Sequence, residues 1–78
     1  MQDGNKEMIR TFDYSLLSGA FSKLARPAKR ALINSRIYSP RELAQWTLNE
    51  IEELHGIGPS ALPVLRNALR INRLEFKK

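Results

Sequence analysis

The chain has 78 residues, of which 42% are hydrophobic and 27% are charged, so we expect one small globular domain with a modest core. The absence of cysteine excludes disulfides, thiol catalysis and cysteine-based zinc sites. Thirteen Lys and Arg against eight Asp and Glu give a net charge of +5. A small domain this basic either binds a polyanion such as nucleic acid or uses the charge only for solubility. We find no run of the ~20 apolar residues that a membrane helix needs, and no secretory signal after Met1, and we expect a cytoplasmic location.

The N-terminal half of the chain contains one clear helix. Residues 1–13 are predicted to form a partly ordered tail, and residues 14–78 a single domain onto which Ile9, Phe12 and Tyr14 pack. Apolar residues at i, i+4 spacing predict a short helical turn over 15–20. The first firm helix is predicted over 27–34, because Pro27 suits the first helical position and an apolar face follows it.

Two N-terminal capping boxes follow in series. Ser39-Pro40-Arg41-Glu42 and Thr47-Leu48-Asn49-Glu50 each place a hydroxyl residue three positions before a glutamate. In such a box the hydroxyl accepts from the glutamate amide and the glutamate accepts from the backbone of the cap. The sequence therefore predicts two short helices, over 40–45 and 48–54.

The last helix is predicted to begin at Pro59 or Ser60 and to end near residue 72. Leucines at i, i+3 and i+7 spacing give it a buried face. Arg66, Arg70 and Arg73 form a neighbouring stripe, which is either a solvent-exposed face or a partner surface. We expect the chain after this helix to fold back onto the core through Leu74 and Phe76.

A weak internal repeat has an offset of 37 residues. It pairs residues of the first firm helix with residues of the last one, namely Ala31, Leu32 and Arg36 with Ala68, Leu69 and Arg73. This repeat fits two helical hairpins packed as a pseudo-symmetric pair.

Between the third and last predicted helices lies Leu54-His55-Gly56-Ile57-Gly58-Pro59-Ser60. Glycines without a Cβ permit a tight turn and a close approach to another molecule. A helix that begins next points unpaired N–H groups and the positive end of its dipole at that molecule, and an anion such as a DNA phosphate suits this geometry. The pattern is that of a helix-hairpin-helix motif, although a plain helix cap and turn explain it as well.

We expect Gly58→Val to damage both the fold and binding, because a branched residue cannot easily adopt the turn.

From Leu24 to Phe76 the chain resembles the C-terminal domain of the bacterial RNA polymerase α subunit. The shared features are Arg26-Pro27, Leu43-Ala44, Thr47 before a short acidic helix, Gly56-Ile57-Gly58 and Ala61-Leu62. The resemblance implies an all-α, SAM-like bundle of about five short helices. It also implies binding of duplex DNA through the backbone and minor groove, without catalysis, in a small stand-alone bacterial protein.

Carried over by position, the family's DNA contacts fall in two places. The first is the start of the first helix, where Arg26, Lys29 and Arg30 are equivalent candidates for an arginine that enters the minor groove. The second is the glycine turn, for which the candidates are Gly56, Gly58, Ser60 and Ala61. Arg66 of the arginine stripe is a further candidate for DNA binding, outside these two places. DNA-binding members often carry lysine just after the second glycine, where this chain has Pro59 and Ser60. This departure lowers the expected affinity.

Nothing in the sequence indicates a catalytic or metal-binding site. Glu50, Glu52 and Glu53 lack a histidine or aspartate opposite, and His55 lacks catalytic partners, so we expect no catalytic residue, no metal and no cofactor. The expected protein is a monomer bound to double-stranded DNA in the bacterial nucleoid. The alternatives are a protein-interaction module that docks on RNA polymerase or another transcription factor, and an accessory piece of a nuclease or repair complex.

Overall fold

The computed structural model describes residues 13–78 of the chain. Within this range the chain forms four α-helices and two 3-10 turns, joined by loops, and no β-strand. The helices are α1 (Arg26–Asn34), α2 (Pro40–Leu43), α3 (Leu48–Glu52) and α4 (Ala61–Ile71), and the 3-10 turns span Tyr14–Leu16 and Gly19–Phe21. The all-α prediction is confirmed, with four helices in place of about five. The predicted tail lies outside the described residues except for Asp13. None of the described helices has the length and apolar character to cross a membrane.

Two 3-10 turns replace the helical turn predicted over 15–20. The Asp13 carboxylate accepts from the backbone N–H of Ser15 at 3.1 Å and also from its hydroxyl, and Ser18 Oγ accepts from the N–H of Ala20 at 3.1 Å. Side chains that bond the nearby backbone in this way favour turns over helix. The two bonds from Ser15, the hydroxyl one foremost, hold the pKa of Asp13 below its ordinary value.

The helix ends differ from the predicted ends by one or two residues. α1 begins one residue before Pro27, and α2 and α3 each end two residues early, at Leu43 and Glu52. The last helix begins at Ala61, so its first-turn proline is Pro63 rather than Pro59. A proline there costs nothing, because the first amides of a helix have no partner within it.

Both predicted capping boxes are confirmed. Glu42 Oε1 accepts from the backbone N–H groups of Tyr38 at 2.7 Å and Ser39 at 3.1 Å, and Ser39 Oγ faces the Glu42 amide at 3.4 Å. In the second box Glu50 Oε1 accepts from the Thr47 N–H at 2.9 Å, and Thr47 Oγ1 accepts in return at 3.1 Å. These bonds start two helices too short to be stable alone.

We expect Ser39→Ala to lower the free energy of unfolding by about 1 kcal/mol, the usual loss of an N-cap hydroxyl. Ser60 provides a matched control, because it is the N-cap residue of α4 but makes no side-chain capping bond. Ser60→Ala should therefore leave stability nearly unchanged. Chemical denaturation of the two variants checks this, and equal losses would contradict a specific role of the first cap.

The core is entirely apolar within residues 13–78. No polar or charged side chain there is buried, and the largest fully buried side chains are Phe21, Leu32, Ile37, Leu43, Ile51 and Leu65. α4 packs against α2 and against the second 3-10 turn, while α1 packs against the first. The last helix thus joins the two halves of the chain.

The predicted 37-residue offset recurs in the backbone at the ends of α1 and α4. The Ile37 N–H bonds the Leu32 carbonyl at 2.8 Å, and the Leu74 N–H bonds the Leu69 carbonyl at the same distance. The residue before each of these donors is an arginine with positive φ, 60° at Arg36 and 59° at Arg73. Both helices therefore end in the same Schellman-type cap, although glycine is the usual residue at its left-handed position.

After α4 the chain folds back along the domain, as predicted. Leu74 and Phe76 are half-buried against the core. The Lys77 N–H donates to the Trp46 carbonyl at 2.9 Å, and Lys77 forms an isolated parallel bridge with Thr47. These bonds fix residues 74–78 beside the start of α3.

Candidate nucleic-acid interface

Gly56 lies directly against the start of α1. Its φ of +104° is a conformation that only glycine adopts readily. A Cβ atom at this position would lie 2.5 Å from the carbonyl oxygen of Pro27 and 3.5 Å from the Cβ of Ala31. The absence of a side chain therefore lets the turn after α3 pack on the first turn of α1.

Gly58 differs from Gly56 in both respects. Its φ is not positive, and an added Cβ would meet no atom within 4 Å. We expected Gly58→Val to disrupt the turn because of the backbone conformation at Gly58. That reason is wrong, because the conformation does not require glycine. Gly58 instead leaves open space at the surface, where another molecule can approach the backbone.

A cleft of about 400 Å³ brings four of the eight predicted binding residues together, namely Gly56, Gly58, Ser60 and Ala61. We call it the glycine cleft, and it is lined by Lys23, Leu24, Ala25, Pro27, Ala28, Gly56, Gly58, Ser60 and Ala61. One wall comes from the chain that enters α1, and the other from the turn that enters α4. Lys23 contributes the only charged side chain of the lining.

The start of α4 offers fewer unpaired amides than the sequence indicated. The Ala61 N–H donates to the Gly58 carbonyl at 3.0 Å, and Pro63 has no N–H. Among the described residues no acceptor takes the N–H groups of Gly58 and Ser60. Ser60 is exposed and makes no capping bond, so its hydroxyl is not used within the helix.

The structure distinguishes the three cations at the start of α1. Tyr14 contacts two of them. Arg30 Nε donates to the Tyr14 hydroxyl at 3.1 Å, and Lys29 Nζ lies 5.8 Å from the centroid of the Tyr14 ring. Arg26 is exposed, and no hydrogen bond to another described residue holds its side chain. Arg26 lies between two lining residues of the glycine cleft, Ala25 and Pro27.

Arg66 is not part of this arrangement. It lines a separate cleft with Leu48, Leu69 and residues 74–78, and the two clefts share no lining residue. The glycine turn and the first turn of α1 thus share one cleft, whereas the one candidate from the middle of α4 lies in another.

Two residues with a part in this site carried no local sequence signal for it. Tyr14 reaches Arg30 across 16 positions of the chain, and the role of Pro27 depends on its carbonyl group rather than its side chain. Neither a long-range phenol contact nor a backbone carbonyl can be recognised from residue spacing.

In comparisons with known proteins, no family model and no curated protein matches the sequence, and no solved structure matches the fold.

Proposed function

We propose that this chain is a non-enzymatic module that binds duplex DNA through its backbone and minor groove, with little sequence specificity. In this proposal α3, the glycine turn and α4 act as a helix-hairpin-helix motif of the polymerase α C-terminal type. A role in transcription on the bacterial nucleoid would follow from that type.

The observation that carries the proposal is the glycine cleft. It sets the half-buried Gly58 and the exposed Ser60 beside the start of α1, where no described hydrogen bond holds the Arg26 side chain. Unpaired backbone N–H groups and cationic side chains are the two kinds of group that bind a phosphate.

The distribution of charged residues supports DNA binding on the same side of the molecule. No acidic residue occurs between Tyr14 and Arg41, a stretch that includes Lys23, Arg26, Lys29 and Arg30. The acidic residues of α3 and its ends are exposed, and Glu50 is engaged in its capping box. A DNA backbone would therefore meet attraction at the start of α1.

The direct test is titration of the full chain with a short A·T-rich duplex at several salt concentrations. We expect micromolar or weaker affinity at physiological salt, as for a non-specific binder. About four cationic contacts give a log–log salt slope near −4, at ~0.9 per phosphate neutralised. Binding that does not change with salt would contradict backbone contact, and no binding at low salt would favour the protein-interaction alternative.

Ser60→Lys tests whether the start of α4 faces phosphate. We expect tighter DNA binding and a salt slope steeper by about one, because lysine releases one more counterion. No capping bond is lost at Ser60, so the only expected cost is ~0.3–1 kcal/mol from a cation near a helix N-terminus. Titration and thermal melting measure the two effects separately. An unchanged affinity and slope would mean that Gly56-Ile57-Gly58 is only a turn.

A further inference from the structure

The cleft that contains Arg66 combines an apolar floor with a basic rim. We call it the C-terminal cleft, and it is lined by Leu48, Arg66, Leu69, Leu74, Glu75, Phe76, Lys77 and Lys78, with a volume of about 400 Å³. Its four apolar side chains are buried or half-buried, and its cations line the opening. Glu75 is the one acidic residue of the lining.

The walls of this cleft are fixed by the backbone. The Leu74 N–H bonds the Leu69 carbonyl at 2.8 Å, and the Lys77 N–H bonds the Trp46 carbonyl at 2.9 Å. The segment that forms one wall is thus attached at both ends, to α4 and to the residue before the α3 cap. A ligand would meet a preformed concavity, which lowers the ordering cost of binding.

From these features we propose that the C-terminal cleft docks an acidic peptide segment of a partner protein that carries a large apolar side chain. Charge complementarity selects the acidic peptide, because no Asp or Glu occurs between Leu54 and Leu74 while Arg66, Lys77 and Lys78 form the rim. The floor selects the apolar side chain, since a concavity lined by leucine and phenylalanine side chains gains free energy by losing water contact.

A nucleic-acid backbone fits this cleft less well than such a peptide. Phosphate and sugar gain nothing from an apolar floor, and Glu75 would repel a phosphate placed beside it. The proposal does not depend on DNA binding at the glycine cleft, because the two clefts share no lining residue.

The probe is a synthetic peptide of alternating Asp, Leu, Glu and Phe residues, titrated into the full chain and followed by amide chemical shifts. We expect the shifts to cluster on Leu48, Arg66 and residues 74–78. A peptide with serine in place of Leu and Phe should bind about tenfold more weakly. Shifts that cluster elsewhere, or equal binding of the serine peptide, would overturn the proposal.

Variants of the cleft make the test specific. Arg66→Glu with Lys78→Glu should weaken peptide binding about tenfold or more, whereas Glu75→Gln should tighten it, a gain that misfolding cannot produce. The matched control is Arg36→Glu with Arg41→Glu, two exposed residues outside the cleft, which should leave peptide affinity within about twofold. An A·T-rich duplex serves as the competitor. If the duplex shifts the same amides and displaces the peptide, the cleft is a nucleic-acid surface and the proposal fails.

Discussion

Replacing Gly56 by alanine is expected to destabilise the protein far more than the same replacement at Gly19 or Gly58. The new Cβ would lie 2.5 Å from the Pro27 carbonyl oxygen, and the residue would have to keep a φ of +104°. A non-glycine residue in such a conformation costs ~1–3 kcal/mol, and overpacking adds ~1–3 kcal/mol. Small domains of this length have only ~4–12 kcal/mol of stability, so Gly56→Ala removes a large share of it.

Gly58→Ala is the matched control, two residues along the same turn. An alanine Cβ there meets nothing within 4 Å, and the backbone is not in the left-handed region. We expect a change within ~0.5 kcal/mol, or a small gain from the lower entropy of the unfolded chain. Thermal melting followed by circular dichroism compares the two variants. Similar melting temperatures would contradict the packing of Gly56 on Pro27.

The triple variant Arg26→Glu, Lys29→Glu and Arg30→Glu is expected to abolish DNA binding and to keep the helical circular dichroism. Each reversal lowers the net charge by two, so the +5 of the chain becomes −1. We expect affinity to fall by about a hundredfold or more at 0.1 M salt, because the cations at the start of α1 are removed together. All three side chains lie off the buried face of α1, which consists of Ala28, Ala31 and Leu32. Loss of the Tyr14 contacts should cost only about 1 kcal/mol.

A second triple variant separates local contact from total charge. Arg36, Arg41 and Arg70 are exposed and lie outside the glycine cleft, and changing them to glutamate gives the same net charge. We expect a much smaller loss of affinity, because exposed charges more than ~10 Å apart are largely screened at 0.1 M salt. Equal losses in the two triple variants would show that the start of α1 is not the DNA surface.

The sequence predicted best what short-range chemistry determines. The capping boxes at Ser39 and Thr47 were predicted correctly because the hydrogen bonds of each box join residues at most four positions apart. Helix ends were less accurate, since the choice between continuing a helix and closing a turn depends on packing. The start of α4 illustrates this, because the Gly58 carbonyl takes the Ala61 amide and delays the helix beyond Pro59.

Contacts distant in sequence could not be predicted from spacing. By sequence, either glycine of Gly56-Ile57-Gly58 could be the one that must lack a side chain. The fold shows that it is Gly56, because a Cβ there would collide with the Pro27 carbonyl. Arg26, Lys29 and Arg30 are equivalent candidates by sequence alone, and only the fold shows that Tyr14 holds two of them. Arg66 shares a helix with Ala61, yet five residues along that helix place it in a different cleft.

The position of α4 in the chain has a consequence for synthesis on the ribosome. α4 supplies Leu65 and Leu69 to the core and packs against both α2 and the second 3-10 turn, so Phe21 and Leu43 lack their cover until it has been made. At ~5–20 residues per second, α4 follows α3 within a few seconds, and during that interval the nascent chain exposes apolar side chains to chaperones. The wall of the glycine cleft that leads into α4 is likewise complete only after this point, long after the wall at the start of α1. The glycine cleft is therefore completed in one late step of synthesis rather than helix by helix.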